Sequence, residues 1–146
     1  MKLPQIEVSV RIKNKGAEKH KITCSNDMYK LSQLMFNQGT IEWTEEAIIM
    51  CMNRNNELIG FKCISSGGMA GTVVDPKVVF TIALQCSAHS IILMHNHPSG
   101  NLKTSEADNE LTRKLVESGR MLEIQVLDHL VITTEGYYSY ADEGKI

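Results

Sequence analysis

The sequence predicts a single α/β domain, a layered sandwich with a mixed central sheet flanked by helices, and three observations predict it. Short apolar runs of strand length alternate with helix-period segments of about a dozen residues. No repeat or linker interrupts the 146 residues, a length that suits one core burying roughly two-thirds of the unfolded surface. Hydrophobic content of 42% with 22% charged residues is that of an ordinary globular chain and argues against disordered and membrane classes. The domain is expected to span residues 1–146, with an N-terminal hairpin and helix over 1–40 and the core over 41–146.

Taken in order, Gln5 to Ile12 alternates apolar and polar residues at the period of a half-buried strand. Asn14-Lys15-Gly16 reads as a turn, and Lys19 to Cys24 as the returning strand. Ser25 or Asn26 is the expected cap of a helix over Asp27 to Asn37, in which Met28, Leu31, Leu34 and Met35 recur at helical spacing before Gln38-Gly39. Ala47 to Met52, between the pair Glu45-Glu46 and a polar turn, suits a strand buried on both faces, with Glu57 to Ile64 as its antiparallel neighbour. Ser65 to Gly71 holds three glycines in five residues and reads as a loop whose backbone can approach something closely. Asp75-Pro76 predicts a helix start running to about Ser87. Ser90 to Met94 is a short apolar strand, and Ser105 opens a helix closed by Ser118-Gly119. Leu122 to Thr133 then gives one strand or two, and Tyr137 to Tyr140 a final edge strand.

The formal charge of −2 supplies no global attraction for nucleic acid. Lys2, Arg11, Lys13, Lys15 and Lys19 make the first twenty residues locally basic, a pattern that a solvated hairpin explains. No apolar run is long enough to cross a bilayer. The Met1 end carries no secretory signal, so a cytoplasmic protein is expected. Cys24, Cys51, Cys63 and Cys86 are widely spaced without a C-x-x-C pair and read as small buried hydrophobes.

The chemistry concentrates at Met94 to Asp108. Residues i and i+2 of a strand point to the same side, so His95 and His97 converge if strand geometry persists, while Asn96 faces away. Asn96 and Ser99 read as stabilising the turn that follows. Ser105 and Asp108 share a face of the next helix's first turn, although S-x-x-D is also a capping box. Two imidazoles and a carboxylate form a three-ligand set that leaves a fourth position for water, as in catalytic zinc sites. His129 reads as a structural histidine and is the best candidate for a partner behind a metal-binding imidazole.

The pattern His95-x-His97, seven residues, Ser105, two residues, Asp108 is similar to the JAMM motif of the JAB/MPN metalloprotease superfamily. His95-Asn96-His97-Pro98-Ser99-Gly100 looks specifically like the bacterial RadC branch, and the likeness runs from about Glu45 to Tyr140. The resemblance implies a JAB/MPN-like (cytidine-deaminase-like) sandwich and one zinc per chain, held with a water by His95, His97 and Asp108. It implies an upstream glutamate as general base, which falls at Glu45 with Glu46 as the alternative, and a hydrogen bond from Ser105 to the water or the developing oxyanion. The reaction implied is hydrolysis of a peptide or isopeptide bond in a protein or peptide substrate. RadC-like proteins commonly carry a helix-hairpin-helix region suggestive of DNA contact; residues 1–40 read instead as hairpin and helix. The alternative function is a non-catalytic DNA- or protein-binding module with a structural metal. A zinc deaminase is disfavoured, because its His-x-Glu and Pro-Cys-x-x-Cys elements are missing.

Overall fold

A computed structural model describes residues 1–14, 16–67 and 71–146. Its elements are α1 (Ser25–Met35), β1 (Glu46–Met52), β2 (Leu58–Ser66), α2 (Pro76–Gln85), β3 (Ser90–Asn96), α3 (Glu106–Leu122), β4 (Gln125–Ile132) and β5 (Tyr137–Ser139). The strands form one sheet in the order β2-β1-β3-β4-β5. Among the described residues only β3 and β4 run parallel, joined by the crossover helix α3, so the sheet is mixed as expected.

The two faces of the sheet explain why the apolar runs are continuous. Ala47, Ile49 and Cys51 of β1 pack with Ile91 and Leu93 of β3 under Val79, Phe80 and Ala83 of α2 and Leu115 of α3. Ile48, Met50 and Met52 alternate to the other face and meet Met28 of α1 together with Phe36 and Ile41. Strands covered on both sides need no polar face. Asp75 caps α2 by accepting from the Lys77 amide at 2.9 Å, with Pro76 at the first helical position. No helix of the described residues is long and apolar enough to cross a membrane.

The N-terminal expectation is corrected. Among the described residues, Gln5 to Ile12 joins no strand ladder, and Ile6 and Val8 are 88% and 63% exposed. A period of two describes a segment with unlike faces, but a strand also needs a partner for its amides. The chain first reaches the sheet at the isolated bridge between Lys21 and Glu57, flanked by bonds from the Leu58 amide to the His20 carbonyl and from the Ile22 amide to the Asn56 carbonyl. The turn is formed, with Asn14 and Gly16 at φ 56° and 98°; Lys15 lies outside the described residues.

Other boundaries move for local reasons. Helix α1 starts at Ser25 after Cys24, without a side-chain cap on its amides, while Asp27 instead accepts from the amide and hydroxyl of Thr23 at 2.9 and 2.7 Å. Ser25 is engaged by Tyr137 and Asp142. The helix ends at Met35 because Phe36 turns extended and enters the core. Strand β2 continues through Ser66, shortening the expected loop. Of the four cysteines only Cys51 is buried; Cys24, which precedes α1, and Cys63, on the edge strand β2, are exposed, and Cys86 is half-buried.

Helix α3 runs through Ser118-Gly119 to Leu122 and closes at Glu123, whose φ of 57° is left-handed. Gly119 is therefore a place of close approach, where a Cβ would overlap the Ile124 carbonyl, and the Ile124 amide bonds back to the Gly119 carbonyl at 2.9 Å. Gly119→Ala is expected to lower the urea midpoint. Overpacking costs about 1–3 kcal/mol, more than the gain of at most about 1 kcal/mol in helix propensity. An unchanged midpoint would contradict the overlap.

Candidate metal centre

Register decides which glutamate faces the histidines. Ala47 pairs with His95 across β1 and β3, and Ala47 lies on the face covered by α2 and α3. Glu45, two residues earlier, shares that side. Among the described residues Glu45, His95 and His97 form a group that could hold a metal ion, each offering a ligand atom within 4.8 Å of the others. Glu46 belongs to the opposite parity, where its charge adds to burial in raising the Cys63 thiol.

Backbone from the glycine segment holds Glu45. Its Oε2 accepts from the Thr72 amide at 2.8 Å, and its carbonyl accepts from the Gly67 amide at 2.9 Å. Gly71 has φ 111°, and a Cβ there would stand 2.9 Å from Glu45 Oε2, so the close approach anticipated for this loop is made to the glutamate. Gly68, Met69 and Ala70 lie outside the described residues. Asn96, facing away from the histidines, is more than a turn residue. Its Nδ2 donates to the Ile41 and Thr44 carbonyls at 2.8 Å each, and its Oδ1 accepts from the Glu46 amide at 2.7 Å. It thus ties the entry of β1, and with it Glu45, to the end of β3.

His95 is the second-to-last residue of β3, at 4% exposure, and His97 lies one residue past the strand. Their Nε2 atoms stand 3.0 Å apart, and Asp108 places Oδ1 at 3.3 Å from His95 and Oδ2 at 3.4 Å from His97. Ligands about 2.0–2.1 Å from a tetrahedral zinc are separated by about 3.3–3.4 Å, so these spacings fit that ion. The donor chemistry fits too. His97 Nδ1 lies 2.6 Å from the Asn101 carbonyl, which only accepts, so neutral His97 carries its proton there and presents a lone pair at Nε2.

Asp108 sits where the helix needs a cap. Ser105 Oγ accepts from the Asp108 amide and Asp108 Oδ2 from the Ser105 amide, both at 3.0 Å, a complete capping box. The cap thereby aims the carboxylate at the two imidazoles, and it leaves the Ser105 hydroxyl proton free. Burial acts to raise the Asp108 carboxyl, but His95 and His97, which donate to it when they carry a proton at Nε2, outweigh burial and hold the group well below the usual carboxylate range. His97 is held above its ordinary value, chiefly by the bond to Asp108 and against the effect of burial.

Behind His95 lies a pair that the sequence marked only in part. His95 Nδ1 meets His129 Nε2 at 2.8 Å, so His129 is both buried structure and partner to an imidazole of the group. Its Nδ1 meets Thr112 Oγ1 of α3 at 2.6 Å. Nothing in the sequence singled out Thr112, which stands one helical turn after Asp108. A polar cleft of about 330 Å³ opens beside His97, lined by Ile41, Glu42, Pro98, Ser99, Gly100 and Thr133 among others.

Comparison with known families decides the grouping. The description RadC-like JAB domain matches residues 22–145. The chain belongs to this family. The match starts at Ile22, one residue after the bridge from Lys21 to Glu57. A UPF0758 protein of Flavobacterium johnsoniae is 41% identical over 124 residues, covering 85% of this chain and 53% of that protein. UPF0758 protein STH371 of Symbiobacterium thermophilum is 43% identical over 100 residues, 68% of this chain and 43% of that protein. UPF0758 protein Mbar_A2303 of Methanosarcina barkeri is 36% identical over 126 residues, 86% of this chain and 54% of that protein. The chain spans about half the length of the curated relatives it matches. Within this RadC-like JAB domain, the sandwich brings two histidines and two carboxylates from three separate segments to one end of β3.

Proposed function

We propose that this RadC-like JAB domain is a zinc-dependent hydrolase of peptide or isopeptide bonds that acts in the cytoplasm on a protein or peptide substrate. The observation that carries the reading is the convergence of His95 Nε2, His97 Nε2 and the Asp108 carboxylate at 3.0–3.4 Å, with a further carboxylate, Glu45, beside the imidazoles. His95, His97 and Asp108 would hold the ion, which supplies Lewis acidity at neutral pH. Glu45 takes a proton from the attacking water on its carboxylate and delivers it to the leaving amine. The Thr72 amide fixes one of its oxygens for that transfer. Ser105, whose hydroxyl proton the cap does not use, donates to the developing oxyanion, an interaction worth about 2.7–4 kcal/mol of barrier in other hydrolases.

Zinc titration of the metal-free chain tests the site. One zinc per chain is expected for wild type and none for His97→Ala. The affinity should depend on pH with a definite sign. A proton on His97 Nε2 competes with the ion, and the Asp108 bond holds that proton above the ordinary histidine value. Affinity is therefore full above the raised value and falls as pH drops through it, with proton release on binding. Wild-type protein that takes up no zinc after reconstitution would remove the hydrolase reading.

A further inference from the structure

We propose that Thr112, which touches none of the converging ligand atoms, sets the tautomer of His95 through His129 and so governs how tightly the centre holds a metal. This deepens the metal-centre reading above and rests on it. Thr112 and His129 are 3% and 0% exposed, so bulk water does not compete for their protons. Thr112 Oγ1 lies 2.8 Å from the Asp108 carbonyl and 2.6 Å from His129 Nδ1, yet a hydroxyl has one proton. The carbonyl can only accept, so the hydroxyl donates to it and must accept from His129 Nδ1–H. His129 Nε2 is then a lone pair, and it accepts from His95 Nδ1–H at 2.8 Å. His95 is left with its lone pair at Nε2, toward Asp108 and His97.

This is the one arrangement that puts a proton in each of the three contacts. The reverse polarity strips the proton from the contact between Thr112 and the Asp108 carbonyl, and it protonates His95 at Nε2, where an ion would bind. His97 needs no such relay, because the Asn101 carbonyl fixes it directly. The His129 ring is itself held in place. Tyr140 stacks on it at 4.9 Å and 5°, with its hydroxyl donating to Asn109 Oδ1 at 2.8 Å, and the His129 amide donates to the buried Asp128. Thr112 and His129 are thus positioning residues. The circuit starts and ends on Asp108, whose carbonyl anchors the relay while its carboxylate faces the product of it.

The test compares wild type, Thr112→Val and Thr112→Ser by two readouts. Zinc affinity, measured by competition with a chelator, should fall about 10–100-fold in Thr112→Val, the range for partners of metal-binding histidines, and return in Thr112→Ser. Long-range ¹H–¹⁵N correlation on the metal-free proteins, at about pH 8 where an ordinary histidine is neutral, should show His95 protonated at Nδ1 in wild type and Thr112→Ser. In Thr112→Val the proton should move to Nε2. Two results would overturn the proposal alone: zinc bound equally by wild type and Thr112→Val, or a wild-type His95 protonated at Nε2, which is read without any variant. Wild-type protein that binds no zinc would instead bring down the metal centre, and this proposal with it.

Discussion

Replacing Glu45 by glutamine is expected to reduce turnover about 10²–10⁴-fold, the loss typical of a missing general base, while zinc content and melting temperature stay at wild-type levels. The expectation follows from what glutamine keeps. Its side chain has the same shape and still offers an oxygen to the Thr72 amide, now 2.8 Å from Glu45 Oε2, so the glycine segment retains its anchor. What it loses is the ability to take a proton. Glu46→Gln is the matched control, because Glu46 lies on the opposite parity of β1, and it should turn over like wild type. The measurement is kcat on a fluorogenic isopeptide reporter that the wild-type chain cleaves, paired with metal analysis of each variant. Loss of turnover in Glu46→Gln with survival in Glu45→Gln would reverse the assignment. Loss of zinc in Glu45→Gln would mean that Glu45 ligates the ion, a role its place within 4.8 Å of the histidines also permits.

The choice between Glu45 and Glu46 shows where sequence reading stops. Alternation identifies a strand's inward face only when its other face is polar, and Ala47 to Met52 is apolar throughout because helices cover both sides of β1. The missing information is the pairing of Ala47 with His95, a contact between residues far apart in the chain. The histidine pair, Ser105 and Asp108 were legible because their geometry is local: one strand end, one turn, one capping box. Asn96 and Thr112 were not, since each acts through carbonyls and rings supplied by other segments. Residues 5–12 failed in the opposite direction. Their alternation is real, but nothing in it says whether a partner strand is within reach, and Ile6 and Val8 stand exposed.

Asp108→Asn and Asp108→Ala should separate the two duties that share one side chain. Asparagine keeps an oxygen for the Ser105 amide, so the start of α3 should lose only a few tenths of a kcal/mol in stability, whereas alanine should cost about 1 kcal/mol as a lost cap. Zinc affinity should fall in both variants by more than about 100-fold, exceeding the effect of partners one shell further out, because neither side chain supplies a charged oxygen to the ion. The proton balance at His97 should shift as well. Asp108 is the main cause of its raised value, so in both metal-free variants His97 should titrate lower than in wild type, which NMR of the ring protons reads directly. Thermal melts give the capping comparison and chelator competition gives the metal comparison. Should Asp108→Asn bind zinc as tightly as wild type, the ion would be held by the other carboxylate, Glu45, with His95 and His97, and Asp108 would be left as a helix cap that orients the two rings.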